Sequence, residues 1–288
     1  MENFEKLWIS CADGYQLAAQ FYSISKNTQT AKTYPILICP ATGITKSFYH
    51  AFASWLSEQG YDVMVFDFRG IGESLHGSLH HSSASIVDWG TLDIPAAITT
   101  LLNKSGAEKV ILLGYSAGGQ LLGINPLYAK VHQVIAVAGS TGYIKGLKGR
   151  TKILAPVMFN FVFPISSLIK GYGATQFIGM GENLPKLVAK QWREFCSQAG
   201  YVKNAIGKTV HHDFHHQIAC PVTSIWATDD EIATEINVKD LLSLYPNAKT
   251  EMIKLEPKQL GFQTIGHMLM FKKSHQSLWP IIQEQIKN

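Results

Sequence analysis

The chain has 288 residues, 46% of them hydrophobic and 16% charged, with 25 Lys and Arg against 21 Asp and Glu. That length and apolar content supply a core for one large domain or two small ones. They exclude disordered and fibrous classes, and the scattered basic residues exclude a nucleic-acid-binding stripe.

Cys11, Cys39, Cys196 and Cys220 fall in neither disulfide nor metal-site spacing. A reduced, cytoplasmic chain is expected, with no metal and no cofactor. The opening residues, Met1 to Lys6, contain no apolar core of a secretory signal. Asp13-Gly14 lies between two alternating runs, Leu7 to Cys11 and Tyr15 to Tyr22, and predicts a β-hairpin. Ser23 to Thr33 is polar and turn-like. Tyr34 to Cys39 reads as a buried strand ending in Pro40-Ala41-Thr42-Gly43. A helix is expected over 48–59, closed by Gly60, and then a strand over 61–66 that runs into Asp67-Phe68-Arg69-Gly70-Ile71-Gly72-Glu73-Ser74. A helix over 88–103 and strands over 110–113 and 133–138 follow.

Strands alternating with helices from residue 34 to 140 imply a mostly parallel sheet with helices on both faces, connected with right-handed crossovers. Ligands then sit at the carboxyl ends of the strands. From Gly139 the rhythm breaks into glycines, aromatics and short apolar pieces. The longest apolar run, Val157 to Ile169, carries Asn160 and Pro164 and is not expected to span a bilayer. An amphipathic helix is expected over 184–201. The sheet resumes at Pro221 to Ala227, followed by a helix over 235–244, a strand over 250–255 and a closing helix over 278–286. The expected organisation is a core of residues 1–140 and 217–288 interrupted by a helical lid insertion, 141–216.

One stretch carries chemistry: Val110-Ile111-Leu112-Leu113-Gly114-Tyr115-Ser116-Ala117-Gly118-Gly119. A buried strand turning sharply through Gly-x-Ser-x-Gly into a helix leaves the serine on a strained backbone at the sheet's edge. Backbone N–H groups at the helix start can then hold developing negative charge. A serine hydroxyl also needs a base, and the base an orienting acid. His267, before the closing helix, is the candidate base. Asp229, Asp230 and Glu231, just after the strand ending at Ala227, are the candidate acids.

These segments, with Asp67-x-Arg69-Gly70-x-Gly72-x-Ser74 and Gly266-His267, resemble the α/β-hydrolase superfamily, in particular its serine-aminopeptidase-like and predicted-esterase branch. The resemblance covers residues 34–140 and 218–288. It implies the α/β-hydrolase fold and a catalytic triad of Ser116, Asp230 and His267, with Asp229 as runner-up for the acid. It also implies an oxyanion hole from the N–H groups of Thr42 and Ala117. Pro40-Ala41 stands where relatives have His-Gly.

The expected activity is hydrolysis of a carboxylic ester or thioester through an acyl-enzyme on Ser116. An acyltransferase, an aminopeptidase or a non-catalytic binding protein on the same fold is the alternative. The expected partner is a small-molecule acyl substrate, with no nucleic acid and no stable membrane span, and the chain is expected to be a monomer or homodimer. Asp67 and Arg69 are expected to have a structural role at their Gly-rich turn, since buried charges there usually pair. The run His211-His212-Asp213-Phe214-His215-His216 offers His at i and i+4, a metal-binding spacing on a helix, but a solvated or pocket-rim role is preferred. Met158, Phe159, Phe161, Phe163 and Met180 are expected to form either a packed lid core or an acyl pocket, with a peripheral membrane contact as a distant third reading.

Overall fold

The computed structural model describes residues 4–24 and 33–287. Most of the polar turn expected over 23–33 lies outside them. The sheet strands are β1 (Glu5–Ser10), β2 (Gln16–Tyr22), β3 (Ile36–Cys39), β4 (Val63–Phe66), β5 (Val110–Tyr115), β6 (Val131–Val137), β9 (Val222–Ala227) and β10 (Thr250–Leu255). A separate two-residue pair, β7 (Tyr172–Gly173) and β8 (Leu184–Pro185), lies between β6 and β9 in the chain. The sheet order is β1-β2-β4-β3-β5-β6-β9-β10. β1 and β2 form the antiparallel hairpin, with Gly14 at φ 84 in its turn, and β2 meets β4 antiparallel. All other neighbours in the sheet are parallel.

β3, β4 and β5 are buried at every residue. Helices cover both of their faces, so Ile-Leu-Ile-Cys and Val-Ile-Leu-Leu run without polar alternation. Two hydrophobic clusters divide the core. One, with Trp89, Ile98 and Leu112, also takes in residues of the insertion; the other, with Tyr49, Phe52 and Trp279, packs against the opposite face of the sheet. Each fully buried side chain of this size is worth about 1.5–3 kcal/mol relative to exposure.

Two expectations are corrected and one open alternative is closed. No sustained helix follows Ser116: the chain makes short 3₁₀ turns, Ser116–Gly119 and Leu122–Ile124, before Asn125-Pro126. Gly118, Gly119 and Gly123 weaken helix propensity there, and Pro126 would clash with a continuing turn. The insertion's apolar run is unbroken: Gly149–Ile169 is a single helix of 21 residues, long and apolar enough by length and composition to cross a membrane. Asn160 and Pro164 do not interrupt it, because the turn Met158–Val162 widens to π geometry just before the proline. Finally, residues 211–214 are irregular and only His215–Gln217 forms a 3₁₀ turn, so the histidines do not line one face of a helix.

Candidate active site

Ser116 follows the carboxyl end of β5 directly and opens the 3₁₀ turn, at φ 48. Such a backbone is strained for a residue with a Cβ. Its neighbours are glycines because there is no space for side chains: a Cβ on Gly118 would lie 2.1 Å from the Cys39 carbonyl oxygen, and one on Gly114 2.3 Å from the Gly119 nitrogen. The end of β3 is thereby pressed against the serine's turn.

β9 ends at Ala227 and β10 at Leu255, and the loops beyond them deliver the other two groups. His267 Nε2 lies 3.1 Å from Ser116 Oγ, and His267 Nδ1 lies 2.7 Å from Asp230 Oδ2. The other carboxylate oxygen of Asp230, Oδ1, accepts from the N–H groups of Ile232 and Ala233 at 2.8 and 2.9 Å. Asp230 is fully buried and the His267 side chain is 15% exposed. Three side chains 114 and 37 residues apart in the chain thus form one hydrogen-bonded line, with the imidazole in the middle.

Comparison with known proteins agrees with the fold described above. Residues 34–128 match the α/β-hydrolase fold family. A 171-residue alignment at 27% identity pairs 54% of this chain with 40% of the Caenorhabditis elegans lipase lipl-3, so the match takes up well under half of that relative. Among solved structures, a Pyrococcus furiosus esterase superposes over 98% of this chain and 88% of its own at a TM-score of 0.62 and 13% identity. A soluble variant of monoglyceride lipase from Saccharomyces cerevisiae superposes over 100% and 96%, at 0.65 and 13%. The chain has the α/β-hydrolase fold.

Within this hydrolase fold the two neighbouring aspartates face different partners. Asp229 does not touch the imidazole. It accepts from Thr264 Oγ1 at 2.6 Å and from the N–H groups of Ile265 and Gly266 at 2.9 Å each, holding the loop that presents His267. Burial alone would raise its pKa, but the bonds from Thr264, Gly266 and Ile265 outweigh it and hold the carboxyl below its usual range. Glu231, the third acid, turns to the insertion instead. It accepts from Arg150 N–H at 3.1 Å, and from Thr151 N–H and Oγ1 at 2.8 Å each, at the start of the helix Gly149–Ile169.

Sequence reasoning missed two further supports. Tyr115, immediately before the serine, donates its hydroxyl to the His267 carbonyl, and its ring stacks 5.8 Å from the imidazole at 28°. Burial raises its pKa far above the usual value, so the phenol stays a neutral donor. Lys46 is the other. It is buried, and its Nζ bonds Asp67 Oδ2 at 2.7 Å and also Glu73, while Asp67 Oδ1 takes the Lys46 N–H at 2.6 Å. Burial opposes its charge, but Asp67 and Glu73 outweigh burial and raise its pKa. The only sequence cue for either was proximity to a motif.

Lys46 anchors the loop that carries Thr42. That loop turns tightly, with Ile44 N–H on the Ala41 carbonyl and Gly43 at φ 71. Ala41 N–H donates to the Tyr49 hydroxyl at 2.9 Å, and Gly43's carbonyl accepts from Glu182 N–H of the insertion. Thr42 N–H has no acceptor among the described residues. Ala117 is the second residue of its 3₁₀ turn, whose geometry leaves that N–H unused. Arg69 pairs with Asp93 at 2.6 Å and Asp13 at 2.7 Å, buried under the same Gly-rich turn, so Asp67 and Arg69 both serve the scaffold.

His211, His212 and His216 are exposed, whereas His215 is buried, with Nδ1 on Asp213 at 2.6 Å. Among the described residues no group of three His, Cys, Asp or Glu could hold a metal. Phe159 and Phe163 are buried against Trp192, Met158 is buried in the same hydrophobic cluster, and Phe161 is 61% exposed.

Proposed function

We propose that this chain is a serine hydrolase that cleaves carboxylic esters or thioesters through an acyl-enzyme on Ser116. The observation that carries the reading is the continuous line Ser116 Oγ, His267, Asp230, at 3.1 and 2.7 Å, on a serine held at φ 48. Ser116 Oγ attacks the acyl carbonyl as His267 Nε2 takes its proton. Asp230 bonds Nδ1–H, fixes the tautomer and stabilises the imidazolium; its second oxygen is already occupied by Ile232 and Ala233, so it cannot swing away. The N–H groups of Thr42 and Ala117 receive the oxyanion, each such donor being worth about 3–4 kcal/mol in the transition state. The leaving alcohol or thiol departs with the proton from Nε2. Water then attacks the acyl group with His267 again as base, and Ser116 recovers its proton.

The esterase and lipases to which the chain is similar support an ester rather than a peptide substrate. The test is a panel of nitrophenyl esters of increasing chain length, a thioester and an aminoacyl anilide. It is run on wild type and Ser116→Ala, alongside labelling by a fluorophosphonate. Ester turnover and labelling that both disappear in a folded Ser116→Ala are expected. Undiminished turnover in that variant would exclude the mechanism, and preferred cleavage of the anilide would replace the esterase by a peptidase.

A further inference from the structure

The helix Gly149–Ile169 has one face in the protein, where Ala155, Met158, Phe159, Phe163 and Ser166 are buried. Its other face should be polar if water were its only neighbour. It is not. Ile153 is 72% exposed, Leu154 61%, Phe161 61%, Leu168 85% and Ile169 73%, and Val157 and Ile165 are exposed between them. These positions recur at the spacing of one helical stripe, broken only by Asn160 and Pro164. The stripe runs the length of a helix of 21 residues, about 30 Å. Phe177, in the turn beyond β7, is 89% exposed. Single exposed apolar residues are ordinary, but a contiguous stripe marks a contact surface.

Charge identifies the contact. Residues 141–216 hold ten Lys and Arg against three Asp and Glu, which leaves 15 against 18 in the remainder of the chain. The excess of basic over acidic residues therefore lies in this one segment. Lys152 and Lys170 flank the stripe at its two ends, exposed and without an acidic partner among the described residues. Two such faces meeting each other would bring like charges together, which disfavours a second copy as the occupant. An apolar stripe between cations matches the interface of an anionic bilayer, with the side chains among acyl tails and the lysines at the headgroups. The helix is long enough to cross a membrane, but its packed face ties it to the protein, so it lies in the plane of the surface.

We propose that the outward face of the insertion helix docks this protein on anionic lipid surfaces. The proposal does not depend on the catalytic reading, because binding is measured without turnover. The experiment is flotation of the full chain with phosphatidylcholine vesicles, with and without phosphatidylglycerol. The proteins are wild type, Leu154→Glu/Leu168→Glu, and Lys152→Glu/Lys170→Glu, each first matched to wild type in melting temperature and circular dichroism. Wild type should float with the phosphatidylglycerol vesicles and less so as salt rises. The leucine variant should bind at least about tenfold more weakly to either vesicle. The lysine variant should lose the preference for phosphatidylglycerol. A wild type that stays unbound, or a leucine variant that floats as well as wild type, overturns the proposal. So does a wild-type dimer that only the leucine variant dissociates, without vesicle binding, since it assigns the stripe to a second copy.

Discussion

Asp229 and Asp230 are adjacent in sequence, yet one holds the imidazole and the other holds the loop beneath it. Nothing in the local sequence separates them, because which carboxylate faces His267 depends on how the chain turns after β9, and that turn is set by Ile232 and Ala233 N–H groups closing on Asp230. The division of labour makes distinct predictions. Asp230→Asn should leave the fold intact and lower kcat by about 10⁴-fold, the scale expected when the orienting acid can no longer fix the tautomer. Asp229→Asn removes the charge from three bonds at a partly exposed site. It should cost about 1–2 kcal/mol in urea unfolding, with a much smaller fall in kcat. The pH dependence has a defined sign. The folded pKa of Asp229 is depressed below 3.8, so its contribution is complete above that value and is lost as pH falls through the folded pKa. Asp229→Asn should therefore flatten the acid limb of the stability profile below pH 4 and leave neutral pH unaffected except for the uniform loss.

The strands, the hairpin and the position of the serine turn were legible because each rests on local signals: apolar runs, Asp-Gly, and glycines at spacings that backbone crowding requires. The 3₁₀ turns after Ser116 and the unbroken helix through Pro164 were not, because the course of the chain there depends on what packs beside it. Both π turns among the described residues end two residues before a proline, Trp89–Asp93 before Pro95 and Met158–Val162 before Pro164. Proline lacks the N–H for the carbonyl four residues back and its ring crowds that carbonyl; a widened turn relieves both, so the helix continues where the sequence suggested a break. One tight junction between elements sets Gly118 against the Cys39 backbone carbonyl at the end of β3. Gly118→Ala places a methyl 2.1 Å from that oxygen and must separate β3 from the serine turn. It should cost about 1–3 kcal/mol or more, and activity should fall further than stability, since Thr42 is carried on the loop that follows β3. Glu231 links two other elements, the Asp230 loop and the start of the insertion helix. Glu231→Ala should uncap that helix at a cost of about 1 kcal/mol, seen as faster hydrogen exchange at residues 150–153.

At the scale of the whole molecule, the insertion has to rejoin the core, and it does so at His215. Its ring stacks 5.5 Å from Tyr245, beyond the helix Glu235–Ser243, and lies so close to Gly123, past the serine turn, that a Cβ there would meet Nε2 at 2.0 Å. Three separate stretches of chain close on one imidazole, which is why its burial could not be read from a run of four histidines of which the other three are exposed. Burial lowers its pKa below 6.5, and this outweighs the opposing pull of Asp213; Lys203 and His216 add to the lowering. The unfolded chain therefore takes up the proton first, so stability is full above pH 6.5 and falls as pH drops from there through the folded pKa. Each unit of depression corresponds to about 1.4 kcal/mol. His215→Phe keeps a ring against Tyr245 and Gly123 but cannot titrate. Urea midpoints of the wild type should fall between about pH 7.5 and pH 5.5, while those of His215→Phe fall less over the same interval. Parallel pH profiles for the two proteins would mean that acid acts elsewhere and that this junction does not couple protonation to the fold.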